Sequence, residues 1–293
     1  MGMEIGKKLA KFYYWEYFWL TIILIATILM HIAIIGSPRR PIFDEIHYVQ
    51  EVQGILSKNY DLHPEHPPLG KLIVLSGVVL FGDNPVGWRF FSILFGAFVI
   101  LFFYLICRKL GLSRTSSSLA TFFLGFENLT FVQSSVAMLD VYLYALILSA
   151  FLSYLCNKYI LVGILTGFSA LIKLNGILAI PTIFIHWILF NTKNIFKSII
   201  IIIAAPITFI ILFPLFDFLV YKKFINPIIR VKEMLSLSSS LTFANTTHDY
   251  LSKPWEWILS YNPIPYSFRP RYIGAVISKM VNFNIFFDLV NIQ

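Results

Sequence analysis

An adjacent pair of acidic residues, Asp44 and Glu45, lies in a polar stretch between two hydrophobic blocks. A carboxylate in such a position has the chemistry of a general base that removes the proton of a hydroxyl group. Asp44 also precedes a helical pattern and equally fits an N-cap, which would stabilise its ionised form and weaken it as a base. The spacing alone leaves both interpretations open.

Three cationic or titratable side chains in the same stretch could recognise an anion. Arg89 opens the next long hydrophobic run, and a planar guanidinium binds phosphate oxygens in pairs. His66 and Lys71 flank a double proline and could reach the same phosphate. As single residues, Arg89 also fits an interfacial anchor and the other two fit ordinary interfacial side chains.

The histidines of this stretch give a weaker signal. His47, His63 and His66 have a spacing that matches no standard zinc pattern. We therefore predict no metal site and no cofactor, and leave a requirement for a divalent ion open.

Other polar residues interrupt apolar runs further along the chain. Glu127, Asn128 and Lys173 fall at membrane depth, where polar groups are costly and usually functional. Asp140 lies just outside, where it is either a substrate-binding residue or a helix cap. Trp255 and Trp257 form either an interfacial aromatic belt or a platform that stacks on a sugar.

The composition identifies the elements that must position these residues. Of the 293 residues, 58% are hydrophobic and 13% are charged, and the mean hydropathy is +0.76. A soluble domain carries about 25% charged residues, so we predict an integral membrane protein. The net charge of +8 fits basic cytoplasmic loops and does not indicate nucleic-acid binding. Cys107 and Cys156 fall near cytoplasmic helix ends and are interpreted as reduced, structural thiols.

Hydrophobic runs and basic residues predict the topology of the first half. Tyr17–Ile35 is the first span, with a cytoplasmic N-terminus, and Phe90–Cys107 is the second. Between them, Asp44–Ser57 has amphipathic helical spacing, with Ile46, Val49, Val52, Ile55 and Leu56 on the apolar face. The 14-residue run Leu69–Gly82 is short for a span and is predicted to be an interfacial or re-entrant helix.

The second half is predicted to add further spans, giving about seven in an all-α fold. They are Ser117–Ser134, Val141–Asn157, two short spans within Tyr159–Phe190 that meet near Lys173, and Ser198–Phe216. We divide the chain into a transmembrane core, 1–220, with a catalytic outer loop at 37–89, and a second outer loop with an incomplete C-terminal segment, 221–293.

Five segments in order resemble the protein O-mannosyltransferase family, polyprenyl-phosphate-mannose-dependent enzymes of the glycosyltransferase C superfamily. They are PIFDEIHY (41–48), HPPLGK (66–71), GWRFFSILFG (87–96), FENLTFVQSSVAMLD (126–140) and HDYLSKPWEW (248–257). Two departures stand out. Ser135 replaces the arginine that the family usually carries, and family members continue through several more spans beyond the position of Gln293.

The resemblance implies transfer of mannose from a polyprenyl phosphate to Ser or Thr hydroxyls of extracytoplasmic proteins, with inversion at the anomeric carbon. It implies that Asp44 is the catalytic base, with Glu45 beside it, and that Arg89 holds the lipid-linked phosphate. The remaining candidate substrate-binding residues are His66, Lys71, Asp140, His248, Trp255 and Trp257. The expected partners are the lipid-linked sugar, the protein acceptor and membrane lipid, with no nucleic acid. We expect a prokaryotic cell membrane with the site on its extracytoplasmic face.

Three alternatives remain at this point. The same fold could act on a lipid or glycan acceptor, as in aminoarabinose transferases. A transporter or channel is disfavoured because no internal repeat is visible and charge gathers in the outer loops. A catalytically inactive fragment that pairs with other membrane proteins is the third possibility.

Overall fold

The structure is a computed structural model, and it describes residues 16–58, 64–190 and 195–240. Within these ranges every regular element is helical. In chain order the helices are α1 (Phe18–Ile34), α2 (Glu45–Leu56), α3 (Leu69–Phe81), α4 (Pro85–Lys109), α5 (Arg114–Phe126), α6 (Asn128–Ser135), α7 (Leu139–Leu155), α8 (Tyr159–Ile172), a 3-10 turn (Leu174–Leu178), α9 (Ala179–Phe190), α10 (Ile195–Tyr221) and α11 (Pro227–Ser240).

The long helices are apolar enough to cross a bilayer. By length and composition, Pro85–Lys109 and the Ile199–Tyr221 part of α10 each qualify. The α6–α7 pair qualifies as one span with a bend of 112°, and α1, α3, α8 and the segment Leu174–Phe190 are shorter apolar helices. The all-helical membrane fold is therefore confirmed, while the number of seven spans stays a prediction.

Helix α4 shows how local sequence sets the boundaries. Asn84 caps it by accepting hydrogen bonds from the backbone N–H groups of Val86 and Gly87, and Pro85 occupies its first position. Arg108 and Lys109 lie in its last turn, where they complement the negative end of the helix dipole. The helix thus runs the full length of a span between a polar start and a basic end.

The predicted span Ser117–Ser134 is wrong as a single helix. The chain is extended at Glu127, and the Glu127 carboxylate accepts bonds of 2.7 Å from the N–H groups of Leu129 and Thr130. Glu127 therefore ends α5 and caps α6. The Glu127 side chain is exposed and caps α6. It is therefore not a functional group buried at membrane depth.

The amphipathic pattern predicted for the surface helix is only partly correct. Val49 and Val52 of α2 are buried, whereas Ile46 and Leu56 are exposed. Two acidic residues of α2, Glu45 and Glu51, are buried although the pattern predicted apolar residues on the buried face. Burial of these carboxylates is possible because each has a cationic partner on another helix.

The core joins α2 and α3 to the long helices. Its main cluster consists of buried apolar residues from α2, α3, α4, the α6–α7 region and the end of α8: Tyr48, Val49, Val52, Val74, Val78, Trp88, Val99, Val136, Ala137, Met138, Leu139, Val141, Tyr142, Leu143, Ala145 and Ile172. On the other side of the bundle, Gly163 and Gly167 let α8 approach Ala204 and Thr208 of α10 closely. The outer helices are thus fixed to the transmembrane bundle through one continuous core.

Candidate active site

The carboxylate of Glu45 is fully buried at the start of α2. Its oxygens accept bonds from the backbone N–H of Ile42 (3.1 Å) and of Ala137 (3.0 Å). They also accept two bonds from Arg89, from Nε at 2.9 Å and from Nη2 at 2.8 Å. Four bonds fill the acceptor capacity of a carboxylate, so Glu45 has no lone pair left for a substrate proton.

Arg89 is equally saturated. Besides Glu45, its guanidinium donates from Nη1 to the carbonyls of Ile35 (3.0 Å) and Pro38 (2.9 Å), and from Nη2 to that of Arg40 (3.3 Å). These contacts use all five N–H donors of an arginine side chain, which is only 1% exposed. In this structure Arg89 therefore has no N–H donor left for a phosphate, and its contacts hold the loop between α1 and α2.

The Glu45–Arg89 pair connects three parts of the chain. Through Arg89 it holds the loop between α1 and α2 on the first turns of α4. Through Ala137 it reaches the break between α6 and α7. Glu45 and its neighbour Asp44 thus lie in different environments.

Asp44 is half-buried and makes no capping bond to the helix that follows it. The sequence left open whether Asp44 caps α2 or acts as a base, and the structure shows no capping bond from its side chain. Burial raises the pKa of the Asp44 carboxyl above its usual range, the charges of His47 and Lys173 lower it, and that of Asp140 raises it. A raised pKa makes Asp44 a stronger base than an exposed aspartate.

Asp140 and Lys173 form an ion pair beside Asp44. The Lys173 ammonium lies 2.8 Å and 2.9 Å from the two Asp140 oxygens, and both side chains are mostly buried. Asp140 is in the first turn of α7, and Lys173 ends α8 before the 3-10 turn. Lys173 was noted in the sequence only as a polar residue at membrane depth, and the structure adds it to the site.

His66 is the third predicted site residue near this pair. It is half-buried, and its ring centroid lies 6.3 Å from that of Tyr48. Burial, helped by the positive charges of Lys173 and Lys71, lowers the pKa of His66 to about 4. The negative charges of Glu65 and Asp140 oppose this shift, and His66 is neutral at physiological pH.

Lys71 lies in a second buried cluster of charges. Its ammonium bonds to Glu51 of α2, and burial raises the pKa of Glu51 to about 7 although Lys71 opposes this shift. Close to this pair, Arg230 of α11 faces Asp217 of α10, with Nε 3.6 Å from a carboxylate oxygen. The contact between Asp217 and Arg230 could not be predicted from the sequence, because it joins two elements that were predicted only as a span and an outer loop.

Ser135, which stands where the resemblance led us to expect arginine, has a specific local role. Its hydroxyl donates to the carbonyl of Phe131 at 2.8 Å, and Nδ1 of His31 on α1 lies 2.9 Å from the same oxygen. Because the hydroxyl proton is already used, His31 is the donor in this second bond. The serine thus ties α6 to α1.

The remaining predicted residues cannot be placed. His63, His248, Trp255 and Trp257 lie outside the described residues. In the part of the chain that is described, no three His, Cys, Asp or Glu residues are arranged to hold a metal ion. The structure thus brings together Asp44, His66 and Asp140, adds Lys173, and gives Glu45 and Arg89 a supporting position.

Comparisons with known proteins identify relatives over part of the chain. The chain is 31% identical over 134 residues to the polyprenol-phosphate-mannose–protein mannosyltransferase of Mycolicibacterium smegmatis, a match that covers 42% of this chain and 26% of the relative. It is 30% identical over 138 residues to protein O-mannosyl-transferase 1 of Danio rerio, covering 41% of this chain and 19% of the relative. The chain thus matches about a quarter or less of the length of these curated relatives.

A solved structure shows the same fold. ArnT from Cupriavidus metallidurans, in the apo state, superimposes with a TM-score of 0.57 at 16% identity, covering 82% of this chain and 47% of that protein. At sequence level, residues 19–226 match the family described as dolichyl-phosphate-mannose-protein mannosyltransferase, and this region is more than half of the chain. It contains the whole Asp44–Lys173 arrangement, and the chain belongs to the dolichyl-phosphate-mannose–protein mannosyltransferase family.

Proposed function

We propose that this chain transfers mannose from a polyprenyl phosphate to Ser or Thr hydroxyls of proteins on the extracytoplasmic side of the membrane. Family membership and the activities for which the relatives are named support the donor and the protein acceptor. The observation that carries the proposal is the environment of Asp44. Its carboxylate is half-buried, makes no capping bond to α2, and lies near the Asp140–Lys173 ion pair and the neutral His66.

In the proposed step, Asp44 takes the proton of the acceptor hydroxyl while its oxygen bonds to the anomeric carbon. The bond from that carbon to the phosphate oxygen breaks, and polyprenyl phosphate leaves with the bonding electron pair. A single displacement of this kind inverts the anomeric carbon. Glu45 and Arg89 act by fixing the backbone on either side of Asp44, because both are fully occupied by each other and by main-chain groups.

The leaving phosphate gains charge in the transition state and needs preorganised positive groups. With the N–H donors of Arg89 engaged, we assign this part to the ammonium groups of Lys173 and Lys71, whose charges both act on His66. Lys173 would then share its charge between Asp140 and the phosphate. His248, Trp255 and Trp257 remain the proposed contacts to acceptor and sugar.

The test is mannose transfer from radiolabelled polyprenyl-phosphate-mannose to a Ser/Thr-rich peptide by purified protein and its Asp44→Asn variant. We expect the loss of a general base to lower kcat by roughly 10²–10⁴-fold. Glu233→Gln, which removes a carboxylate that is 55% exposed on α11, is the matched control and should retain activity.

The outcomes separate the parts of the proposal. Equal turnover by wild type and Asp44→Asn would remove Asp44 from its role and keep the reaction class. Transfer of the sugar to a lipid acceptor but to no peptide would replace the protein acceptor. Absence of both transfer and donor binding in the wild type would refute the function as a whole.

A further inference from the structure

Two adjacent arginines, Arg39 and Arg40, are exposed in the loop between α1 and α2. We call them the arginine pair. Among the described residues, neither side chain has a hydrogen bond or an ion pair, and the nearby carboxylate of Glu45 bonds to Arg89 instead. The two guanidinium groups can therefore bind an anion from outside the protein.

The backbone that carries the arginine pair is fixed to α4. Arg89 donates from its guanidinium to the carbonyl oxygens of Pro38 at 2.9 Å and of Arg40 at 3.3 Å. The main chain of the pair is thus held in place, while the side chains remain in solvent. A guanidinium on such a support binds two phosphate oxygens at once through its planar N–H groups.

Helix α1 places the arginine pair at the level of the lipid head groups. Its 17 residues extend over about 25 Å, close to the hydrocarbon thickness of roughly 30 Å. It runs antiparallel to α4, because Glu16 before its start bonds to Arg108 and Ile35 at its end bonds to Arg89.

The lipid-facing side of α1 leads directly to the arginine pair. Four exposed aliphatic side chains lie on one side of the helix and reach its last turn: Ile22, Ile25, Leu29 and Ile32. The pair follows the last helical residue, Ile34, by five and six positions. It therefore lies just beyond the hydrocarbon, where the phosphate groups of phospholipids are found.

The usual charge bias of membrane proteins does not explain the arginine pair. Basic residues gather on the cytoplasmic side, and Arg108 and Lys109 at the far end of α4 fit that bias. The pair lies at the opposite end of α1 and α4. Basic residues at a membrane surface attract anionic lipids, and this gives the pair a physical reason to be there.

We propose that the arginine pair binds the phosphate groups of anionic phospholipids in the leaflet on the Asp44 side of the membrane. A lipid is favoured over an acidic peptide because the pair directly follows a lipid-facing helix. The lipid holds from outside a loop that Arg89 holds from inside, four residues before Asp44. The inference does not depend on the proposed reaction, since it concerns only the contact between this loop and the bilayer.

The first test is native mass spectrometry of the purified protein titrated with phosphatidylglycerol or phosphatidylcholine. Arg39→Gln/Arg40→Gln should weaken binding of phosphatidylglycerol by roughly tenfold or more and leave binding of phosphatidylcholine unchanged. Arg39→Lys/Arg40→Lys keeps the charge and loses the planar fork, so its affinity should be intermediate.

Lys222→Gln/Lys223→Gln is the matched control for this test. It also removes two adjacent exposed cations, next to the end of α10, and should retain the affinity for phosphatidylglycerol. Equal weakening in the arginine and lysine variants would show a general charge effect and overturn the proposal. An arginine variant with wild-type affinity would overturn it as well.

The second test measures hydrogen–deuterium exchange of residues 36–43 in lipid nanodiscs. Adding phosphatidylglycerol to phosphatidylcholine should slow exchange in the wild type but not in Arg39→Gln/Arg40→Gln, and high salt should reduce this protection. Exchange in α4 should be the same in both proteins, which separates loss of a lipid contact from unfolding. Protection by polyprenyl phosphate but not by phosphatidylglycerol would overturn the proposal, because the ligand would then be the lipid of the donor.

Discussion

At the scale of single residues, the adjacent carboxylates of Asp44 and Glu45 lie in different environments. Glu45 is buried with four hydrogen bonds, while Asp44 is half-buried, lacks a cap bond and has a raised pKa. Adjacent residues at a helix start point in directions about 100° apart, so one can face the core and the other the site. The identity of the pair is visible in the sequence, and the division of roles is not.

The reason is the sequence separation of the partners. Glu45 bonds to Arg89, 44 residues away, and to Ala137, 92 residues away. Local periodicity and capping patterns carry no information at such distances. The resemblance located Arg89 and assigned it to phosphate, but only the contacts show that its donors are already used.

One prediction concerns the pH dependence of catalysis. If Asp44 is the base, kcat/KM falls as the pH drops through the pKa of Asp44. Lys173→Met removes a charge that lowers this pKa, so the acid limb should move to higher pH. Asp140→Asn removes a charge that raises it, so the limb should move to lower pH. The measurement is kcat/KM against pH for the three proteins, and shifts in the same direction would contradict the assignment.

A second prediction concerns the stability of the loop. Arg89→Met leaves the Glu45 carboxylate buried without a cation and should cost about 3–5 kcal/mol of unfolding free energy. The double variant Glu45→Gln/Arg89→Met should recover part of this loss. The measurement is thermal unfolding in detergent.

Arg108→Met is the matched control for this prediction. Its pair with Glu16 is partly exposed, so the change in unfolding temperature should be small. Equal decreases in unfolding temperature for Arg89→Met and Arg108→Met would show that burial of the Glu45–Arg89 pair does not determine how much it contributes to stability.

At the scale of elements, hydrophobic run length located most helices. The predicted surface helices Asp44–Ser57 and Leu69–Gly82 correspond to α2 and α3, and the predicted turn near Lys173 lies between α8 and the 3-10 segment. The division of the third span was missed because the apolar run continues through Phe126 and Phe131 on both sides of Glu127. Glu127 itself is visible in the sequence. An acidic residue at this position fits a helix N-cap as well as a buried functional group.

The packing of α3 on α4 gives a prediction at this scale. A Cβ atom on Gly77 would collide with the backbone carbonyl oxygen of Gly87, which cannot rotate away. Gly77→Ala should therefore destabilise the protein by roughly 1–3 kcal/mol and displace α3, on which Lys71 lies. Gly36→Ala, where no atom lies within 4 Å of the added Cβ, should have little effect. Unfolding temperatures of the two variants check this, and similar values would contradict it.

At the scale of the whole molecule, the distribution of charge predicts the orientation in the membrane. α4 begins next to the Asp44 loop and ends at Arg108 and Lys109, and basic residues favour the cytoplasmic side. The Asp44 loop and α2 are therefore predicted to face the extracytoplasmic side.

Cysteine labelling tests this orientation. In a protein with Cys107 and Cys156 replaced by alanine, Gln50→Cys on the exposed side of α2 should react with a membrane-impermeant maleimide in intact cells. Lys109→Cys, also exposed, should react only after the membrane is permeabilised. The reverse pattern would place the candidate site in the cytoplasm and contradict the proposed acceptor.

The contacts of Glu45 also bear on how the protein is made. Arg89 and Ala137 leave the ribosome 44 and 92 residues after Glu45. The Glu45 carboxylate can therefore bond to them only after these two later segments have been synthesised. Of its four hydrogen bonds, the Glu45 carboxylate can form only the one from the Ile42 N–H before those segments arrive, so its charge must stay hydrated until then. The loop that carries the proposed base is therefore synthesised early, and its hydrogen bonds are completed late. It can reach its final structure only after α4 and the α6–α7 turn have been inserted correctly.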